Sequence, residues 1–257
     1  MTLEACARIV EKGDPDRFLA AMAAPVEARR VLFPLYAFNV EVTRAPWVTE
    51  EPMIAEMRLQ WWRDALEEIA EGRPVRKHEV TTALAQVLDA EGAQALDRLV
   101  AARRWDVYKD AFEDEGHFQE YLQATSGELM WQAARALGAQ DFARETITDY
   151  GAAVGLSRYL GAVAALEGLG RVPLVDGRRE AVVKLAQDAL INAGAASVAY
   201  KTIPTAARAA LMEGWQAGPV LHQIKRQPQR VQEGAVGLSE FRKKARLLRW
   251  SLTMPLF

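Results

Sequence analysis

The sequence predicts an all-α fold. Between residues 51 and 72, apolar side chains recur at spacings of three and four with charged residues between them, which is the period of an amphipathic helix. No stretch alternates polar and apolar residues as a half-buried strand does. Half of the 257 residues are hydrophobic and 26% are charged, so the chain has enough apolar surface to bury a core. We expect one domain, residues 1–257.

The other helices follow in order along the chain, separated by glycine and proline. Two loops are expected at residues 169–180 and 227–237. The predicted helical segments are residues 25–44, 51–72, two short segments around 84–88 and 96–100, and then 117–137, 141–166, 178–200, 205–225 and 238–252.

Charge and composition exclude several classes of function. The 32 Lys and Arg residues nearly balance the 34 Asp and Glu residues, which argues against a nucleic-acid-binding protein. Cys6 is the single cysteine, so no intrachain disulfide is expected. His78, His117 and His222 are too far apart in the sequence to suggest a zinc site. We expect neither a metal nor another cofactor.

The N-terminal residues MTLEACARIVEKGDPD lack the basic and apolar regions of a secretory signal, so we expect a cytoplasmic protein. The most membrane-like segment is residues 150–170. It carries Arg158 near its middle and many small residues, and is predicted to be a buried helix instead of a membrane span.

Four segments together are typical of a known family: PVEARRVLFPLYAFN (25–39), MRLQWWRDALEEIAEGRP (57–74), YLQATSGELMWQAARALG (121–138) and DYGAAVGLSRYLGAV (149–163). In their order and spacing they resemble the squalene/phytoene synthase family over most of the chain. The resemblance implies an isoprenoid-synthase-like helical bundle with a central cavity. In active relatives, two prenyl diphosphates are joined head to head there.

Active relatives hold magnesium with two acidic motifs on facing helices. By resemblance, the acidic positions of the first motif fall at Thr43, Arg44 and Trp47, where this chain has no carboxylate. Pro46 also disfavours helical geometry at the preceding residue, so the helix should end early. The second motif should follow residues 149–163, where Glu167 alone is acidic. We therefore expect both metal sites to be lost.

The charge of Arg44 strengthens this expectation. A unit charge ~5 Å from a divalent cation at an effective dielectric of ~20 is repelled by roughly 6 to 7 kcal/mol. A guanidinium can instead bind a phosphate or carboxylate directly, with no metal.

Two shorter runs, AFNVE (37–41) and MRLQWW (57–62), resemble a non-catalytic branch of the family that acts in assembly of mitochondrial respiratory complex I. This implies a pseudoenzyme whose partner is a respiratory-complex subunit, with an isoprenoid or lipid as a further ligand. The alternative is an active head-to-head prenyl diphosphate transferase that needs magnesium and takes its ligands from Glu41, Glu50, Glu51 or Glu167. A third reading is an isoprenoid carrier.

Within this framework we select candidates for the cavity wall. Glu41 and Arg44 have the spacing of an i, i+3 ion pair, and Trp62 belongs to the core stripe of its helix. A buried Arg158 needs a partner, either an acid such as Glu128 or an anionic ligand. The substrate-binding candidates are Arg29, Tyr36, Asn39, Glu41, Arg44, Arg58, Tyr121, Ser126 and Arg158, and no residue is predicted to be catalytic or to bind metal.

The C-terminal segment EFRKKARLLRWSLTMPLF (240–257) combines five basic residues with large apolar ones. One reading is a terminal helix docked on the core with its charges in water. The other is a peripheral contact with the anionic surface of the inner membrane.

Overall fold

The computed structural model describes residues 2–253, with the side chains of residues 2–250, and every regular element in that range is helical. The all-α prediction is confirmed. The helices are α1 (Thr2–Gly13), α2 (Pro15–Ala23), α3 (Arg29–Arg44), α4 (Pro52–Ala70), α5 (Glu79–Leu84), α6 (Ala90–Arg103), α7 (Glu115–Leu122), α8 (Glu128–Ala136), α9 (Arg144–Gly168), α10 (Arg179–Ala199), α11 (Arg208–Leu211), α12 (Ala217–Arg226), α13 (Gln229–Gln232) and α14 (Glu240–Thr253).

Most predicted segments correspond to these helices, but several details were wrong. The helices α1 and α2 precede the first predicted segment and were not predicted, and the predicted segment around 84–88 is mostly a turn that follows α5. The segment 117–137 is divided by a π-helical turn at Gln123–Gly127, and 205–225 is divided by a 3-10 turn at Met212–Gly214. The predicted loop 227–237 contains the short helix α13. In these last three cases tertiary packing sets the local backbone conformation. The periodicity of a single segment does not show how that segment packs.

The helix α3 ends at Arg44, as Pro46 predicts, and a 3-10 turn at Ala45–Trp47 follows it. The expectation for Ala45 was wrong, because its backbone stays helical, with φ −51° and ψ −43°. The steric preference before proline acts against this conformation. Burial of Ala45 in the core outweighs it.

Side-chain caps fix several helix starts near the site. Asp14 accepts a hydrogen bond from the backbone N–H of Arg17 at 2.9 Å, and Pro15 occupies the first turn of α2. Asp89 caps α6 in the same way. A capping carboxylate followed by proline is a strong helix start, so α2 is set largely by its own sequence.

The long helix α9 lies at the centre of the bundle. It packs against α8, α10 and α12 through small residues, and Gly151 and Gly155 face the π-helical turn. None of the helices in residues 2–253 is long and apolar enough to cross a membrane. The segment 150–170 was predicted to be a buried helix, and it is buried over residues 150–157 but exposed at residues 167–170.

The C-terminal helix α14 docks on the core. Trp250 is buried, and Arg246 donates a hydrogen bond to the Trp215 carbonyl. Lys243 lies 3.5 Å from the carboxylate of Asp16. These contacts agree with the prediction that the C-terminal segment docks on the core. The last residues of the segment, 254–257, lie outside the described range.

Candidate functional site

A pocket of about 280 Å³ opens where the end of α1, the C-terminal turns of α3 and α6, the π-helical turn and α9 converge. We call it the central pocket. Its lining includes four arginines, although most of the exposed pocket surface is apolar. It comprises Gly13, Asp14, Arg17, Asn39, Val40, Thr43, Arg44, Arg103, Tyr121, Leu122, Thr125, Ser126, Gly155, Arg158, Tyr159 and Ala162.

The π-helical turn brings Tyr121 and Ser126 to this pocket. Thr125 donates a hydrogen bond to the Tyr121 carbonyl at 2.6 Å, which competes with the regular helical ladder. A Cβ on Gly155 would lie 2.4 Å from the Ser126 hydroxyl oxygen, so only glycine lets α9 approach the turn so closely. Wide turns of this kind occur often at functional sites.

Behind one wall lies a network of Tyr121, Arg103 and Asp106. Arg103 donates a hydrogen bond to the Tyr121 hydroxyl at 2.6 Å, and that hydroxyl donates to Asp106 at 2.9 Å. Burial raises the pKa of Tyr121 well above its usual range, although Arg103 opposes the shift. Tyr121 therefore stays a neutral donor, and Asp106 is held by its two partners.

A buried ion cluster forms the opposite wall. Arg17 contacts Asp14 at 2.8 Å and donates a second hydrogen bond to Glu213. Arg158 lies 3.3 Å from Asp14 and 3.8 Å from Glu213. Burial raises the pKa of Asp14, but Arg158 and Arg17 outweigh it, so the pKa lies below its usual value. We call these four side chains the buried ion cluster.

Arg158 pairs with acids, as one of its two predicted alternatives states, but the acids are Asp14 and Glu213 and not the suggested Glu128. Glu128 accepts hydrogen bonds from Arg144 at 3.3 Å and from Gln132 at 2.7 Å, on another side of the bundle. Arg158 and Glu128 are on different helices. Sequence periodicity does not specify which residues of two helices face each other.

The C-terminal turn of α3 places Thr43 and Arg44 on the central pocket. The Thr43 hydroxyl oxygen is buried and has no hydrogen-bond partner among the side chains of residues 2–250 or the backbone of residues 2–253. Arg44 lies 3.6 Å from Glu41, which confirms the predicted i, i+3 pair, and its side chain remains 61% exposed. Trp47 points elsewhere and stacks against the guanidinium of Arg171 at 4.7 Å.

Of the nine predicted binding residues, five line the central pocket: Asn39, Arg44, Tyr121, Ser126 and Arg158. The other four do not line it.

Tyr36 is buried below Arg17, whose guanidinium lies 5.6 Å from its ring, and Arg29 donates to the carbonyl of Met22 at 2.7 Å. Glu41 and Arg58 line a separate surface groove. Beside that groove, Trp62 packs into the core, as its stripe predicts.

Sequence reasoning missed Asp14, Arg17, Arg103 and Glu213. The Asp-Pro start of α2 was the available signal for the first two, since a capping aspartate fixes the position of Arg17 one turn later. Nothing in the sequence near Glu213 indicates that it meets a residue nearly 200 positions away.

Solved structures show which fold this is. A dehydrosqualene synthase matches all of this chain and 97% of its own, with a TM-score of 0.80 and 15% identity. A squalene synthase from Alicyclobacillus acidocaldarius matches 89% of this chain and 94% of its own, with a TM-score of 0.74 and 16% identity. The bundle therefore has the fold of these two synthases.

The chain belongs to the squalene/phytoene synthase family, whose model matches residues 10–228. The complex I assembly factor 6 homolog of Drosophila melanogaster is 32% identical over 178 residues, covering 66% of this chain and 53% of that protein. The mouse complex I assembly factor 6 is 25% identical over 148 residues, covering 53% of this chain and 41% of the relative. The chain thus spans about half the length of these relatives.

The family resemblance implies a magnesium ion in active relatives, and that ion places requirements on the pocket. Magnesium requires carboxylate oxygens that are free to coordinate it. Within residues 2–253, no three His, Cys, Asp or Glu side chains are grouped so that they could hold a metal. Asp14 is the carboxylate that lines the pocket, and two arginines hold it. Among the described residues, the central pocket therefore presents no carboxylate that is free of an arginine partner to a magnesium ion.

Proposed function

We propose that this chain acts in the assembly of respiratory complex I, and that its central pocket binds an anionic isoprenoid or lipid headgroup without metal and without prenyl transfer. The observation that carries the proposal is the wall formed by Thr43 and Arg44, where an active relative needs carboxylates. In this reading the acidic motifs are degenerate. The protein is cytoplasmic, with peripheral contact at the inner membrane.

Electrostatics favour an anion in this pocket. Four arginines line it, Arg17, Arg44, Arg103 and Arg158, against the single carboxylate of Asp14. Glu213 and Asp106 neutralise part of this charge from behind the walls. Arg44 keeps only a weak, exposed partner, so its guanidinium is available to a phosphate or carboxylate.

The size of the pocket supports a headgroup instead of two substrates. Its volume of about 280 Å³ lies just below the roughly 300–1,000 Å³ of ordinary small-molecule sites. A head-to-head synthase must hold two prenyl chains at once. A single headgroup needs less volume.

Isothermal titration with a non-hydrolysable farnesyl diphosphate analogue, with and without magnesium, tests the ligand proposal. We expect binding that is independent of magnesium and that weakens about fivefold in Arg44→Ala, as the loss of one exposed charge-assisted contact implies. Arg226→Ala, which removes an exposed arginine at the end of α12, is the matched control. Binding that requires magnesium contradicts the proposal.

The assembly role is tested separately by deleting the gene in the source organism. We expect a loss of assembled complex I and of NADH:ubiquinone activity, restored by the wild-type gene. Unchanged levels of the assembled complex on native gels would contradict this role. Complementation with Arg44→Ala then reports whether the pocket ligand is needed for assembly.

The second candidate is an active head-to-head prenyl diphosphate transferase. It is favoured by the match to a dehydrosqualene synthase over the whole chain. Its magnesium ligands must then come from Glu41, Glu50, Glu51 or Glu167, of which Glu41 lines a separate groove and Glu167 is exposed. Magnesium-dependent release of pyrophosphate from farnesyl or geranylgeranyl diphosphate would establish it. A carrier without turnover would instead retain an isoprenoid in native mass spectrometry.

A further inference from the structure

The C-terminal helix α14 has two opposed faces, and we propose that it uses both at once: the inner face docks on the core and the outer face binds an anionic lipid bilayer. This inference rests on one part of the proposed function, the peripheral membrane contact, and is independent of the central pocket. We call the exposed side of α14 the outer face. It comprises Phe241, Arg242, Lys244, Ala245, Leu248 and Arg249.

The helical period separates the two faces of α14. At 3.6 residues per turn, Phe241 and Trp250 are about 2.5 turns apart, so they lie on opposite sides of the helix. Trp250 is 2% exposed, whereas Phe241 is 81% exposed. Leu248 follows Phe241 by two turns, shares its side of the helix and is 63% exposed. Docking through Trp250 therefore leaves a second apolar stripe in solvent.

The cations of α14 are divided between the same two faces. Lys243 lies 3.5 Å from the carboxylate of Asp16, and Arg246 donates a hydrogen bond to the Trp215 carbonyl, so these two side chains hold the inner face on the core.

The outer cations flank the apolar stripe. Arg242, Lys244 and Arg249 are exposed, and the helical period places Lys244 on one side of Phe241 and Leu248 and the two arginines on the other. An apolar stripe bordered by cations is typical of a helix that lies in the interface of an anionic bilayer. The apolar side chains enter the acyl boundary there, while the long basic side chains extend to the lipid phosphates.

The charge distribution of the whole chain favours an anionic bilayer as the occupant. Residues 240–257 carry five basic side chains and one acid, while the net charge of the chain is −2, so the rest of the chain carries a net charge of −6. An anionic surface attracts the C-terminal end and repels the remainder. The protein is therefore oriented with the outer face of α14 toward the lipid.

Binding of the full chain to lipid vesicles tests the cations of the outer face. The probes are vesicles of phosphatidylcholine alone and of phosphatidylcholine mixed with phosphatidylglycerol, and bound protein is measured by sedimentation. The double variant R242A/K244A removes two outer cations. Its matched control is K225A/R226A, which removes two exposed cations at the end of α12.

A second pair of variants tests the apolar stripe. Phe241→Ser removes the outer aromatic ring, and its control is Phe142→Ser, because the Phe142 side chain is also exposed, at 65%, but lies in the turn before α9. Circular dichroism verifies that each variant keeps the helix content of the wild type.

We expect the wild type to bind the vesicles that contain phosphatidylglycerol and to bind phosphatidylcholine alone much more weakly. R242A/K244A should bind the anionic vesicles about 30-fold more weakly, from the loss of two cations at the membrane surface. Phe241→Ser should bind them about tenfold more weakly, from the loss of one inserted aromatic ring. Both controls should bind as the wild type does, and added salt should weaken the wild type more than R242A/K244A.

A dye at position 241 reports which surface enters the bilayer. Phe241→Cys is labelled with an environment-sensitive fluorophore, and Cys6, which is 0% exposed, does not compete for the label. We expect the fluorescence at position 241 to rise when anionic vesicles are added. The same fluorophore on Phe142→Cys should not respond.

Two results would overturn the inference, and they differ in what else they affect. If the wild type binds anionic vesicles but R242A/K244A and Phe241→Ser match their controls, or the dye at position 241 does not respond, another surface contacts the membrane and only this inference fails. If the wild type binds neither kind of vesicle, the membrane contact of the proposed function fails as well. The tests of the central pocket and of complex I assembly use other probes and are unaffected by either result.

Discussion

The buried ion cluster makes Glu213 the most informative position for a stability test. Its side chain is 1% exposed and that of Arg17 is 7% exposed. Glu213→Gln keeps the shape of the side chain but leaves Arg17 and Arg158 with a single carboxylate, that of Asp14. Removing one partner of a buried ion pair typically costs about 3–5 kcal/mol. Because Asp14 remains, we expect Glu213→Gln to lower the free energy of unfolding by about 3 kcal/mol, the lower end of that range.

The assay is urea unfolding followed by tryptophan fluorescence and far-ultraviolet circular dichroism. For a chain of this size, 3 kcal/mol corresponds to a fall of roughly 6 to 12 °C in Tm. Glu115→Gln is the control, because its pair with Lys184 at 3.2 Å is more than half exposed on both sides. We expect that variant to lose less than about 1 kcal/mol.

A double variant separates lost charge pairing from lost packing. R17M/E213L replaces both charges by apolar groups of similar size, so it leaves fewer unpaired charges than Glu213→Gln does and should be the more stable of the two. A loss below about 1 kcal/mol in Glu213→Gln, similar to the exposed control, would refute the reasoning. It would mean that Glu213 is hydrated and does not act as a buried counter-charge.

Three further predictions concern packing, pH and reactivity. Gly155→Ala should destabilise the protein by about 1–3 kcal/mol in urea unfolding, because the added Cβ would collide with Ser126. Gly194→Ala is the control, because the space around Gly194 is open, and it should stabilise α10 by about 0.5–1 kcal/mol. A hydrogen bond from Arg135 lowers the pKa of Asp89 to about 2, so the contribution of Asp89 to stability is full above pH ~4 and is lost as the pH falls toward 2. Asp89→Asn should therefore flatten the dependence of the unfolding free energy on pH across that window. An unchanged pH dependence would contradict the pairing. Burial raises the pKa of Cys6 to about 11, so its thiolate fraction at pH 7.5 should be about a hundredfold below that of the unfolded chain. Fast reaction of native protein with Ellman's reagent would count against that burial.

The sequence was sufficient for most helices after residue 25 and for the family. The three-to-four periodicity of α4 and the capping aspartates act within one or two turns, so local sequence carries them. The end of α3 at Arg44 is a local effect of Pro46 in the same sense. The i, i+3 pair of Glu41 and Arg44 also follows from helix geometry alone.

The candidate site could be predicted only in part. Asn39, Arg44, Tyr121, Ser126 and Arg158 were selected from motif positions, and the structure brings them to one pocket. Arg29, Tyr36, Glu41 and Arg58 come from the same motifs but line other surfaces or the core. Periodicity assigns a residue to a helix face, yet it does not say which neighbour that face meets.

The sequence by itself determined that the chain is helical and to which family it belongs. The tertiary structure alone decided the partners of the buried charges. Glu213 is 196 residues from Arg17, and Arg158 is 144 residues from Asp14. Pairing across such distances depends on how helices pack, and packing is a property of the whole chain that no local pattern encodes.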